Sequence, residues 1–270
     1  MKNLTVKLSL EERATKEALY QIYTTAKFGL GGHFVVLLII TSILSGKVPL
    51  TIIASGFILH TLILSWRAYT LFQYKKNIHT VTDTNSINHW IRLFKIGAFM
   101  TGSAWGITLF FLPDLSAEYH FFIFAVLVAL PASGIVTLGV IFSIYNAFML
   151  SILGGNLIWM LLQDGLLYSV AALSTAILIF YYFASARRFS QNFKQAFIEK
   201  ETTKEYVIEL KNEYAAFETL FEKSSDALLI IKDGKFVQCN EKSVEMLHYN
   251  CKDDLLNAHP AKFSPEFQPD

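Results

Sequence analysis

Between Lys27 and Arg187 the charged residues leave long gaps, and those gaps decide the solvent in which this chain folds. Residues 28–46, 48–66, 96–113 and 165–186 contain no Asp, Glu, Lys or Arg, and residues 119–163 contain none over 45 positions. A helix needs about 20 apolar residues to cross the hydrocarbon of a bilayer, so the longest gap holds two crossings joined by a tight turn. Six transmembrane helices are expected. The 53% hydrophobic content and the mean hydropathy of +0.40 agree with that reading.

The net charge of +1 conceals an asymmetry. Lys2, Lys7, Arg13, Lys16 and Lys27 precede the first span; Arg67, Lys75, Lys76, Arg92 and Lys95 lie between the second and third; Arg187, Arg188 and Lys194 follow the sixth. The opposite loops carry Lys47 alone against Asp114, Glu118 and Asp164. Basic residues stay on the cytoplasmic side, so both termini are expected there. Because 27 mostly polar residues precede the first apolar run, no cleaved signal peptide is expected. Cys239 and Cys251 fall in the cytoplasmic tail, where ordinary thiols are expected rather than a disulfide.

Residues 1–27 read as a cytoplasmic N-terminal helix. Ser9 and Glu12 have capping-box spacing, and Leu10, Ala14, Leu19, Ile22 and Tyr23 offer an apolar side. This helix either lies on the inner leaflet or extends the first span into water. Residues 28–186 form the six-helix membrane region. Trp66, Tyr69 and Phe72 on one side of its second cytoplasmic segment, and Trp90 and Phe94 on the other, are placed as interfacial belts, with residues 80–88 reading as loop. Ala98, Gly102 and Gly106 in the third span, and Ala147, Ser151 and Gly155 in the fifth, form small-residue stripes that let helix backbones approach in lipid.

After the sixth span the periodicity changes. Phe189, Phe193, Ala196, Val207, Leu210, Tyr214, Phe217 and Phe221 follow an alternating three-four spacing, interrupted by Lys200 and Thr203. Residues 187–221 are expected to form a coiled-coil linker, and from residue 186 to 221 a continuous helix would extend about 54 Å. A parallel dimer is favoured over a lone amphipathic helix packed on its own protein.

From residue 222 the pattern is that of a small α+β domain. Residues 227–231 read as a strand, Asp233-Gly234 as a hairpin turn and 236–239 as the returning strand. Asn240 stands at an N-cap position before a helix over 241–248, and a second short helix fits 253–257 before His259-Pro260. The sequence stops at Asp270, and two strands without the rest of a sheet are marginal, so the segment after Ser225 is expected to be poorly ordered.

Residues 221–240 and 246–249 resemble the opening half of a PAS domain. Asp226 before the first strand, Gly234 in the hairpin, Asn240 at the following helix and Tyr249 closing it occupy the family's positions, while His248 replaces the usual Gly. The tail over 263–270 also resembles PAS domains of multidomain bacterial signalling proteins. More loosely, the six-span region is similar to the membrane input modules that precede PAS, GGDEF and EAL domains. That likeness rests on Trp66-Arg67, Gly102, Trp105, Leu112-Pro113 and Arg187-Arg188. It implies a sensor in a bacterial inner membrane, with a diguanylate cyclase or phosphodiesterase output beyond Asp270, or alternatively a histidine kinase. No GGDEF, EAL or kinase motif is present, so no enzymatic activity and no catalytic residue is expected in this chain. The expected fold class is an all-α transmembrane six-helix bundle with a long cytoplasmic linker helix, followed by a truncated α+β PAS domain over 222–270.

Polar side chains are expensive at membrane depth and mark where a stimulus site belongs. His33 lies six residues after Lys27 and His60 seven before Arg67, which puts each about 9 to 10 Å from a cytoplasmic helix end. Equal depth permits an imidazole pair that binds a metal ion, shares a proton or ligates haem. Haem is the weaker option, because helices about 8 to 10 Å apart leave little room for a porphyrin. The alternative is that each ring bonds a hydroxyl or a backbone carbonyl. His120 is expected at the interface. Asn146 and Asn156, with Pro131 and Gly134, either line a cavity for a lipophilic molecule or make interhelical hydrogen bonds.

No zinc-spaced Cys/His cluster, phosphate loop or nucleophile elbow is present, and no basic face suits nucleic acid. No cofactor is expected beyond the haem or metal option at His33 and His60. The expected partners are the lipid bilayer, a second copy through the linker helix, and an unidentified small-molecule or physical stimulus. A small transporter or channel is the competing class, and it would call for mid-membrane charges and broken helices.

Overall fold

Seven α-helices and one β-hairpin make up the described residues, 8–256 and 259–260, of the computed structural model. The chain divides into two units, Met1–Glu199 and Lys200–Asp270. The first unit holds α1 (Leu10–Leu44), α2 (Leu50–Asn77), α3 (Thr84–Gly106), α4 (Ala117–Leu138), α5 (Phe142–Leu161) and the first part of α6 (Leu166–Lys223). All six are long and apolar enough to cross a membrane, as the helices of a multi-pass membrane protein are.

Burial ranks the helices. Half of the apolar window of α3 and of α5 is buried, against 22% in α1, α2 and α6 and 28% in α4, so α3 and α5 are the central pair. Their small-residue stripes meet each other. A side chain at Gly102 would strike Ser151, one at Gly106 would strike the Ser151 carbonyl, and one at Gly155 would lie 2.9 Å from the Gly106 Cα. Backbones this close gain dispersion contacts along their whole length, which is how helices associate where no water is expelled. The other helices leave large apolar side chains such as Val35, Leu62, Leu173 and Phe180 exposed, a surface suited to hydrocarbon.

α1 begins at Leu10 and continues without a break at residue 27 to Leu44. The Ser9 hydroxyl accepts from the Glu12 amide at 3.2 Å while the Glu12 carboxylate accepts from the Ser9 amide at 2.8 Å, the reciprocal cap that the spacing predicts. Ala14, Ala18, Leu19, Ile22 and Tyr23 are buried within the unit rather than laid on a leaflet. The Tyr23 ring stacks on Tyr74 at 3.8 Å between centroids, and its hydroxyl donates to the Trp90 carbonyl at 3.1 Å. Trp90 and Phe94 are therefore core residues and not belts, whereas Tyr69 and Phe72 remain exposed.

Two further expectations are corrected. α3 starts at Thr84, inside the stretch read as loop, because the Asp83 carboxylate accepts from the Ser86 amide at 2.9 Å and caps it. α2 runs on to Asn77, so Arg67 does not end a helix. Its side chain is buried: Nη1 donates to the Thr101 hydroxyl at 3.1 Å, the guanidinium lies 5.2 Å from the centre of the Phe94 ring, and the stem fits over Gly97. An arginine can be held this way because its stem is apolar and its head finds a hydroxyl and a ring face. His120, near the start of α4, is also buried. Its Nε2 donates to the Leu112 carbonyl at 2.7 Å, and Nδ1 accepts from the Tyr168 hydroxyl at 3.1 Å.

In the second unit, the end of α6 is followed by β1 (Leu229–Lys232), β2 (Lys235–Cys239) and α7 (Glu241–Met246). The strands pair antiparallel from Lys232 opposite Lys235 to Leu229 opposite Cys239, with a bulge between Ile230 and Ile231. Asp233 at φ 51° and Gly234 at φ 75° form the two-residue turn, and both angles are what a right-handed hairpin twist demands. In place of a helix at 253–257 there is a short 3₁₀ turn, Lys252–Asp254; position 257 and the tail over 263–270 lie outside the described residues.

Candidate functional site

Within the six-helix unit, one group of polar and aromatic side chains sits among otherwise apolar helices. Trp105 of α3 is its centre and is buried, as are His33 of α1 and His60 of α2. The indole N–H donates to His33 Nδ1 at 3.2 Å, and the His60 ring lies 4.3 Å from the indole between centroids. An indole N–H only donates, so His33 Nδ1 is the acceptor and this ring is neutral with its proton on Nε2. His60 is the opposite tautomer. Its Nδ1 lies 2.9 Å from the Gly56 carbonyl, which only accepts, so Nδ1 carries the proton and Nε2 a lone pair.

The two imidazoles meet at Trp105, which lies against both rings. The Trp105 N–H takes the Nδ1 lone pair of His33 and the Nε2 of that ring carries its proton, so of the two rings only His60 keeps an open lone pair, on Nε2. Among the described residues, no three His, Cys, Asp or Glu side chains gather as a metal site. Nearby, the Arg67 to Thr101 bond continues from the Thr101 hydroxyl to the Gly97 carbonyl at 2.8 Å.

The two asparagines do not share a cavity. Asn156 is fully buried, and its amide donates to the Ile152 carbonyl of its own helix at 3.0 Å. Asn146 lines a shallow groove with Lys95, Phe99 and Ser143. Gly134 packs against the Phe148 ring, and the Pro131 carbonyl accepts from the Tyr145 hydroxyl at 3.1 Å, so this pair ties α4 to α5. A more enclosed cavity lies instead between α1, α2 and α3 and is lined by His60 and Trp105 among others.

On α6, Val207, Leu210, Tyr214 and Phe217 are exposed, leaving their apolar stripe unpartnered, whereas Phe193 is half-buried and Phe221 is buried. In the second unit Asn240 satisfies every polar group of its side chain. Its amide donates to the carbonyls of Phe221 at 3.0 Å and Asp226 at 2.9 Å, while Oδ1 accepts from the amides of Leu228 at 3.0 Å and Ser243 at 2.9 Å. One residue thereby joins the end of α6, the start of the hairpin and the first turn of α7. Cys239, Val244 and Leu255 form a small core against which Leu229 and Tyr249 pack. These contacts tie the hairpin, α7 and the 3₁₀ turn together within residues 226–256.

Burial pushes the Cys239 thiol up, and the Glu222 carboxylate, 2.6 Å from Lys252 Nζ, raises the lysine and keeps it charged. His248 takes φ 58°, a left-handed conformation that glycine adopts more readily. Asp226 acts through its backbone: its carbonyl accepts from Asn240 and its amide donates to the Ser224 hydroxyl at 3.1 Å.

A family model of the PAS domain matches residues 215–270. No curated protein and no solved structure matches the chain. Six helices apolar enough to cross a membrane, together with a PAS domain, are the make-up of a PAS-containing sensor. Sequence reasoning singled out His33, His60 and the PAS positions but missed Trp105 as the residue between the histidines and Arg67 as a buried side chain. For Trp105 there was a signal: it lies three residues from Gly102 and one from Gly106, on the helix whose stripe packs closest.

Proposed function

We propose that this chain is the membrane-embedded input module of a bacterial signal-transduction protein, held in the inner membrane with both termini in the cytoplasm. A stimulus changes the packing of the six helices, and α6 carries that change to the PAS domain as a rotation or register shift between two copies. The output is a diguanylate cyclase or phosphodiesterase of cyclic-di-GMP signalling, or a histidine kinase, and it lies outside these residues. The chain contributes no catalytic residue and needs no haem or metal.

The observation that carries this reading is the exposed stripe of Val207, Leu210, Tyr214 and Phe217 on α6. An apolar three-four repeat left bare on a helix is what a second copy of the same helix covers. The resemblance to cyclic-di-GMP input modules supports the choice of output, and the charge asymmetry supports the orientation.

In membranes carrying a chain with Cys239→Ser and Cys251→Ser, Leu210→Cys should cross-link two copies efficiently. Asn212→Cys, from the opposite side of the repeat, should not. Equal cross-linking at both positions, or none at Leu210, would remove the dimeric relay. In a protein retaining its output domain, Leu210→Asp should separate stimulus from response.

A further inference from the structure

The groove beside Asn146, of about 470 Å³, follows the seam where α3 and α5 pack. These two helices run parallel, with Gly102 against Ser151 and Gly106 against Gly155, so Lys95 comes level with the first turn of α5. Lys95, Ser143 and Asn146 line the polar part of the groove, and Phe99, Ala147 and Leu150 continue it along the same pair. From Phe142 to Leu150 it follows α5 for about 12 Å. Lys95 is the last charge on α3 before the uncharged residues 96–113, which places it where that helix enters hydrocarbon. The groove therefore begins at headgroup level, and the exposed Phe99 and Leu150 carry it into the depth of the acyl chains.

The polar groups at its mouth are unspent. Lys95 is exposed and makes no ion pair among the described residues. The Asn146 Oδ1 is buried, but Nδ2 is not, and Nδ2 makes no hydrogen bond among the described residues. α5 starts without a side-chain cap, so the positive end of its dipole adds to the charge of Lys95. No Asp or Glu lines the groove. One end thus offers a cation and N–H and O–H donors, and the other offers only apolar surface. This is the complement of an anionic oxygen group joined to a hydrocarbon chain. A zwitterionic headgroup would bring its own ammonium beside Lys95 and gain less.

We propose that this groove binds an anionic phospholipid, its phosphate held by Lys95, Ser143 and Asn146 and one acyl chain lying over Phe99 and Leu150. The proposal goes beyond the sensory reading and needs only that α3 and α5 lie in a bilayer. The lipid sits on the seam of the most closely packed helix pair, so its occupancy bears on the centre of the bundle.

Delipidated full-length chain in detergent is titrated with dioleoylphosphatidylglycerol and, separately, dioleoylphosphatidylcholine, and bound lipid is counted by native mass spectrometry. The first phosphatidylglycerol should bind about fivefold more tightly than the first phosphatidylcholine, the gain of one accessible ion pair. Lys95→Gln should bring phosphatidylglycerol down to the level of phosphatidylcholine and leave phosphatidylcholine unchanged. Lys76→Gln, at an exposed lysine outside the groove, should keep the preference. Inorganic phosphate should not displace the lipid, because it brings no chain for Phe99 and Leu150. Equal affinity of the unaltered protein for the two lipids overturns the proposal. So does a preference that survives Lys95→Gln, one that Lys76→Gln removes as fully, or displacement by inorganic phosphate. No dimer and no signalling output is read, so such a failure leaves the relay to its own cross-linking test.

Discussion

At the scale of single residues, Asn240 shows how one side chain can hold a two-stranded hairpin to its neighbouring helices. It closes four hydrogen bonds to four backbone groups, and removing it would leave those buried groups unpaired. Asn240→Ala should cost about 2 to 4 kcal/mol, the sum of a lost N-cap and unsatisfied buried polar atoms. Limited proteolysis of the full chain should then cut between residues 222 and 256, where the unaltered protein resists. His248 carries the opposite kind of prediction. A left-handed conformation costs a non-glycine residue about 1 kcal/mol, so His248→Gly should slow the same cleavage. Asn240 was legible in the sequence because caps and hairpin turns are local chemistry. Arg67 was not, since a charge is read as a helix end unless the ring and hydroxyl that hold it, Phe94 and Thr101, are known to be adjacent.

At the scale of elements, the close pair is α3 and α5, and it depends on Gly102, Gly106, Ser151 and Gly155. Gly106→Leu would push a side chain into the backbone of α5 at Ser151 and should destabilise the bundle by about 3 kcal/mol or more. Thermal aggregation of detergent-purified protein should fall several degrees lower, whereas Gly29→Leu, at a glycine with nothing within 4 Å, should leave it unchanged. The two stripes were visible as spacing, and so were the six helices as gaps in charge. Helix ends were less legible. α1 and α2 continue past Lys27 and Arg67 because burial against neighbouring helices, not hydropathy, decides how far they extend. The shift of Trp90 and Phe94 from belt to core has the same origin: composition marks an aromatic as amphipathic, and only packing on Tyr23 and Tyr74 shows which side it serves.

At the scale of the whole molecule, everything proposed about sensing depends on hydrocarbon being the solvent of α1 to α6. The exposed apolar surface on these helices, and the absence of Asp, Glu, Lys and Arg over residues 28–46, 48–66, 96–113, 119–163 and 165–186, suit hydrocarbon far better than water. The direct test is extraction of isolated membranes with alkaline carbonate. The account predicts that the protein stays in the membrane pellet after that wash and leaves it only with detergent. Release into the supernatant by carbonate alone would contradict it.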